Sequence, residues 1–328
     1  MTASPLPASR TRTAGRTVAA ALATAALAAP AAPAAAADPA GDKPTVVLVH
    51  GAFADASGWN GVAERLRGDG YRVVAPANPL RGLAGDSARL AGELKRVQGP
   101  IVLVGHSYGG AVISTAAAGN AQVKSLVFLS AFMPDKGESL SELGARFPGG
   151  LLNSALKPKS FKRADGTEGT DLYIHPDRFR DVLAADLPQD TAARLASAQR
   201  PLSGDAFTDK ATAAAWKTIP SWALVATRDR AVVPELARFE ARRANAHTVE
   251  VDASHSTPMS HPDAVADLIR QAAGGQSPDT SALASMGTST LVLAGLGGLA
   301  GLAALTGVGV VAASRRRRAA EGGPGPAL

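Results

Sequence analysis

Short, nearly uninterrupted apolar runs recur through the middle of the chain, each followed by a stretch with helical spacing. Val46 to Val49, Tyr71 to Ala75, Ile101 to Gly105, Val123 to Leu129, Trp222 to Ala226 and His247 to Val251 make six such runs. Runs this short, without strict alternation, suit strands buried on both faces, as in a parallel sheet. Between them the spacing predicts helices at about 59–68, 85–97, directly after Ser107, at 234–244 and at 262–273. Strand and helix in alternation predict an α/β fold, a six-stranded, mostly parallel sheet with helices on both faces.

From about residue 133 to 216 the alternation breaks. Prolines, glycines and charges multiply, with helical pieces at about 176–185 and 191–199. The segment is too long for a bare loop, so it reads as an inserted helical cap. Its cluster Lys157, Lys159, Lys162 and Arg163 reads as a solvated loop.

The two ends follow different rules. Arg10, Arg12 and Arg16 precede an apolar, alanine-rich run from Val18 to Ala29, and small residues lead to Ala37. That order predicts a secretory signal peptide over 1–37. At the other end, Leu291 to Ala313 carries no charge and Arg315 to Arg318 follow it. A run of that length predicts a transmembrane helix over 291–313, with 314–328 as a basic cytoplasmic tail and 278–290 as a tether. Leu283-Ala284-Ser285-Met286-Gly287 resembles the cell-wall sorting signal cut by a sortase, with Met286 where threonine is expected. The region between, 38–277, is therefore expected on the extracellular face of the cell membrane, with sortase processing near Met286 and wall linkage as the alternative.

Charge adds little once the ends are removed. Of the net +6 over 328 residues, three charges lie in 1–37 and two in 278–328. The stretch between is nearly neutral and has no electrostatic footprint for nucleic acid. There are no cysteines, which excludes disulfides, iron–sulfur clusters and cysteine–zinc sites. No metal-ligand spacing, phosphate loop or dinucleotide fingerprint is present, so no metal and no cofactor is expected.

The chemistry gathers at Gly105-His106-Ser107-Tyr108-Gly109-Gly110, between a strand and a small-residue helix. G-x-S-x-G in that context predicts a sharp turn that lifts the Ser107 hydroxyl out of the sheet as a nucleophile. A serine needs a base, and the base needs an orienting group. His255 follows the last strand, where a loop leaving the sheet would carry it over the serine. His261 precedes Pro262 and reads as a surface or capping residue. Asp229 lies just past the run Trp222 to Ala226, on the rim where the serine turn sits, and reads as the orienting acid. Asp252 competes weakly, three residues from His255. Two backbone N–H groups are expected to hold a developing oxyanion, those of Tyr108 and of Ala52 in the loop His50-Gly51-Ala52-Phe53.

In this order and spacing, His50-Gly51-Ala52, the GHSYGG turn, the Asp229 turn and Ser254-His255 resemble the α/β-hydrolase superfamily. Over roughly 44–273 the chain is similar to its compact group of methylesterases, hydroxynitrile lyases and small carboxylesterases. The resemblance implies a serine hydrolase acting on a small-molecule carboxylic ester through an acyl-enzyme. Members using an aspartate nucleophile are disfavoured by Ser107. Lyases of the group carry a lysine and a threonine where this chain has Ser256 and Gly51. The same scaffold also supports acyl transfer to an alcohol, or a surface protein that mainly binds ligands.

Overall fold

The apolar runs become the strands of one twisted sheet. The structure, a computed structural model, describes residues 43–275. The segments expected to be signal peptide, tether, membrane helix and basic tail lie outside the described residues. Among the described residues no helix is long and apolar enough to cross a membrane.

Among the described residues nine strands occur in chain order: β1 (Thr45–Val49), β2 (Val73–Val74), β3 (Ile101–His106), β4 (Val123–Leu129), β5 (Leu156–Lys162), β6 (Glu168–Ile174), β7 (Leu202–Ser203), β8 (Ser221–Ala226) and β9 (His247–Val251). Six form a sheet of order β2-β1-β3-β4-β8-β9, and every pairing in it is parallel. The expected six-stranded α/β sheet is therefore present. The second run shrinks to the two residues of β2, because this edge strand pairs with β1 only at Val73 and Val74.

The absence of alternation in β1 has a simple cause. Its five residues are all buried, and they point to opposite faces. Val47 and Val49 pack with Leu83, Leu90 and Ile113 on one face. Val46 and Leu48 pack with Trp59, Leu66 and Leu268 on the other. Each such side chain withdrawn from water stabilises the fold by about 1.5–3 kcal/mol.

The strand order also fixes where a site can form. From β1 the chain steps outward to β2, then returns to β3 on β1's other side. Their carboxyl ends thus diverge at a switch point, where the covering helices leave a crevice. The loop bearing Ala52 leaves β1 there, and the turn bearing Ser107 leaves β3 beside it.

The cap departs from the helical reading. It holds helices, among them Leu140–Arg146, Pro176–Leu183 and Gln189–Ala198. It also holds a three-stranded antiparallel sheet of order β5-β6-β7. The basic cluster read as a loop lies largely in β5, an edge strand that is mostly exposed. Pro158 is tolerated there because an edge strand leaves half its N–H groups unpaired, and edge lysines discourage pairing with another chain. Arg163 is tied to Asp205 at 2.6 Å.

One buried carboxyl bears on stability. Glu240, on the helix Pro234–Arg243, is wholly buried. Its Oε1 accepts from the Met133 N–H at 2.7 Å, and its Oε2 has no hydrogen-bond partner. Burial pushes its pKa up to about 8. The folded state therefore holds a proton that the unfolded chain releases near its ordinary value of 4.5. Stability falls as pH rises between those two values, by at most about 1.4 kcal/mol per unit, and levels off above the higher one. Glu240→Gln keeps an oxygen for Met133 and removes the proton. In thermal melts it should match the wild type near pH 5 and exceed its Tm at pH 9; a deficit at pH 9 would contradict the buried neutral acid.

Candidate active site

Ser107 sits between β3 and the helix Tyr108–Ala116 with φ 56° and ψ −126°. A non-glycine residue at positive φ costs about 1–3 kcal/mol, so its surroundings must hold it there. Ser107 N–H donates to Leu129 O at 3.1 Å, and Ser107 O accepts from Gly110 N–H at 3.0 Å and Phe132 N–H at 3.2 Å. The glycines around this turn are forced by contact. A Cβ on Gly109 would lie 2.5 Å from Val49 O, and one on Gly51 would lie 2.7 Å from Ser107 Cβ. The Ser107 hydroxyl does not cap the helix that it begins. The positive end of the helix dipole therefore faces the crevice, where negative charge is welcome.

His255 leaves β9 and Asp229 leaves β8, and the fold brings them together. His255 Nδ1 lies 2.7 Å from Asp229 Oδ2. Both residues are buried, at 3% and 4% exposure, and Ser107 is at 8%. A carboxylate only accepts, so Nδ1 carries the hydrogen, and in a neutral ring that leaves the lone pair on Nε2. The other oxygen, Asp229 Oδ1, accepts from Ala231 N–H at 2.7 Å and Val232 N–H at 3.0 Å. The flanking arginines turn away: Arg228 pairs with Asp252 at 2.6 Å, and Arg230 pairs with Asp181. Asp252 is thus occupied at the surface and does not meet His255.

Ser107 and His255 line one narrow inner void, with Ala52 and Tyr108 beside them. All five residues singled out in the sequence therefore gather at one rim. His261 takes its expected place at the start of the helix Pro262–Gly274.

Five further groups support these residues. His106 Nε2 donates to His255 O at 2.9 Å, and its ring lies 4.7 Å from the His255 ring. Desolvation, and then the charge of neighbouring His255, lower its pKa to about 3. His50 is buried, and its Nε2 accepts from Asn78 N–H at 3.0 Å; desolvation lowers its pKa as well. That bond fixes the start of the loop carrying Ala52. The Tyr108 phenol donates to Asp86 Oδ2 at 2.7 Å, turning its side chain into the core. Burial pushes both groups up. Lastly, Asp186 of the cap accepts from Ser254 N–H at 2.8 Å and from the Ser254 hydroxyl. Burial works against its ionisation, but these bonds outweigh it and hold the carboxyl below the usual range. Leu183 O accepts from Ser256 N–H at 2.9 Å and from its hydroxyl at 2.7 Å. The cap therefore grips the residues on both sides of His255.

Two larger spaces adjoin the void. A pocket of about 90 Å³ is lined by His255, His106, Phe179, Leu195 and Met259. A groove of about 450 Å³ runs between the cap helix Leu140–Arg146 and the Ala231 loop. Among the described residues no three His, Asp or Glu side chains converge as metal ligands would. The arrangement puts a serine hydroxyl and a carboxylate-held imidazole on one void, the parts that proton transfer to and from a hydroxyl requires.

A sequence model described as the alpha/beta hydrolase family matches residues 46–268. A carbendazim hydrolyzing esterase of Nocardioides sp. (strain SG-4G) is 36% identical over 132 residues, which is 34% of this chain and 54% of that one. The chain thus spans about half the length of that relative. An alpha/beta hydrolase of Aspergillus novofumigatus (strain IBT 16806) is 27% identical over 71% of this chain and 97% of its own. Among solved structures, polyneuridine aldehyde esterase has a TM-score of 0.61 at 19% identity, covering 70% of this chain and 98% of its own. A pyrethroid hydrolase from Sphingobium faniae JZ-2 has a TM-score of 0.55 at 23% identity, covering 70% and 97%. At such identities the two structures establish a common fold.

Proposed function

The chain belongs to the alpha/beta hydrolase family, and from that membership we propose that it cleaves a carboxylic ester through a serine acyl-enzyme. The observation that carries this reading is the 2.7 Å bond from His255 to Asp229, formed beside a serine held at a strained turn. Relatives named as esterases support ester bonds as the target.

Each step has a residue. Ser107 Oγ attacks the ester carbonyl carbon while His255 Nε2 takes the hydroxyl proton. Asp229 stabilises the imidazolium as it forms and keeps the ring oriented. The N–H groups of Ala52 and Tyr108 hold the oxyanion. As the tetrahedral intermediate collapses, the bond to the leaving oxygen breaks and His255 returns its proton to that oxygen. Water then attacks the acyl-enzyme, giving a proton to His255, which passes it back to Ser107 Oγ.

Export and attachment to the outer face of the membrane belong to this proposal. The arginine-led alanine-rich start and the uncharged run Leu291 to Ala313 before four arginines support them.

A fluorophosphonate probe tests the reading. The folded wild type should be labelled covalently, and Ser107→Ala should not. A folded wild type that takes no label would overturn it.

A further inference from the structure

The inner void at Ser107 shares lining residues with two larger spaces, and the linings of those spaces differ in chemistry. Toward one side it shares His255, Ala52, Phe53 and Leu183 with the 90 Å³ pocket. Toward the other it shares Phe132, Leu140, Leu152, Phe207 and Ala231 with the 450 Å³ groove. His255 lines the first space and is absent from the second. No charged side chain lines the groove.

A proton argument assigns the two arms. The leaving oxygen must lie against His255 Nε2, which protonates it as the bond to the acyl carbon breaks. The alcohol group therefore extends into the space that His255 lines. The acyl group, bonded to Ser107 Oγ, extends away from it. We propose that the groove between the helix Leu140–Arg146 and the Ala231 loop is an acyl site, which takes long, uncharged hydrocarbon acyl groups beyond Phe132 and Phe207, the two rings that line both spaces. The smaller pocket beside Met259 and Leu195 takes the alcohol. This assignment rests on the serine-esterase reading above and adds the substrate class to it.

The size difference fits that division. The groove is several times the volume of the alcohol pocket. Its entry residues Ala145 and Asn153 are exposed, so a chain longer than the groove can emerge into solvent. Each methylene buried there should raise kcat/KM about fourfold.

The test uses p-nitrophenyl esters from acetate to dodecanoate, with the alcohol constant, and acetates of methyl to naphthyl alcohols, with the acyl group constant. In the wild type kcat/KM should climb with acyl length. Ala145→Trp, which fills the groove mouth from an exposed helix position, should lower the octanoate-to-acetate ratio about tenfold. Leu195→Trp should leave that ratio as in the wild type and penalise naphthyl acetate. Circular dichroism confirms that each variant is folded. A ratio changed by Leu195→Trp and not by Ala145→Trp would overturn the assignment, as would a flat acyl series in an active wild type. A folded wild type that neither cleaves any ester nor takes the fluorophosphonate label sinks the underlying serine-esterase reading instead.

Discussion

Ser107→Ala is expected to lower kcat/KM for a p-nitrophenyl ester by about five to six orders of magnitude, the loss seen when a serine nucleophile is removed. Everything else stays in place. The turn is held by backbone bonds from Leu129, Gly110 and Phe132, none of which uses the side chain. The Ala52 and Tyr108 N–H groups proposed to hold the oxyanion belong to the backbone too, so a residual rate of about a thousandfold over water should survive. Circular dichroism and Tm should match the wild type, because alanine meets the same strain at φ 56° as serine does. Stopped-flow assays at high enzyme concentration would measure both rates. A loss below about a hundredfold, in a folded variant, would mean that another group attacks the ester.

Asp229→Asn should cost about four orders of magnitude in kcat while leaving KM nearly unchanged. The reason is geometric. Asp229 Oδ1 accepts two backbone N–H groups, from Ala231 and Val232. In the asparagine variant the amide oxygen keeps those bonds, and the NH2 group is turned toward His255 Nδ1. Two donors cannot face each other, so the imidazole hydrogen moves to Nε2. The ring then presents a hydrogen to Ser107 where it must present a lone pair. A loss under about tenfold, measured by steady-state kinetics with the fold verified, would reduce Asp229 to a loop-building residue.

Much of this was legible because short-range rules apply to it. Val46 to Val49 and Val123 to Leu129 are apolar throughout because both faces of a parallel strand are buried. The turn at Ser107 needs glycines because backbone passes within van der Waals distance, and glycine spacing is written in the sequence. His255 and Asp229 could be chosen because a loop leaving the carboxyl end of a strand has only one rim to occupy. The β5–β6 hairpin was hidden by Pro158 and by lysines that suit a loop equally well. Its one clear signal is Asp165-Gly166, where Asp165 accepts from Thr167 N–H at 3.0 Å and Gly166 takes φ 83°. The contacts of His106 with His255 and of Asp186 with Ser254 were not legible. They join residues 149 and 68 positions apart, and no periodicity encodes a pairing made by tertiary packing.

The grip of Asp186 and Leu183 on Ser254 and Ser256 limits how this scaffold can be diversified. A chimera that imports a foreign lid must also import a carboxylate and a carbonyl at those two points, or the segment bearing the imidazole loses its moorings. Changes of specificity are therefore gained more safely from residues that face the groove than from wholesale exchange of the lid.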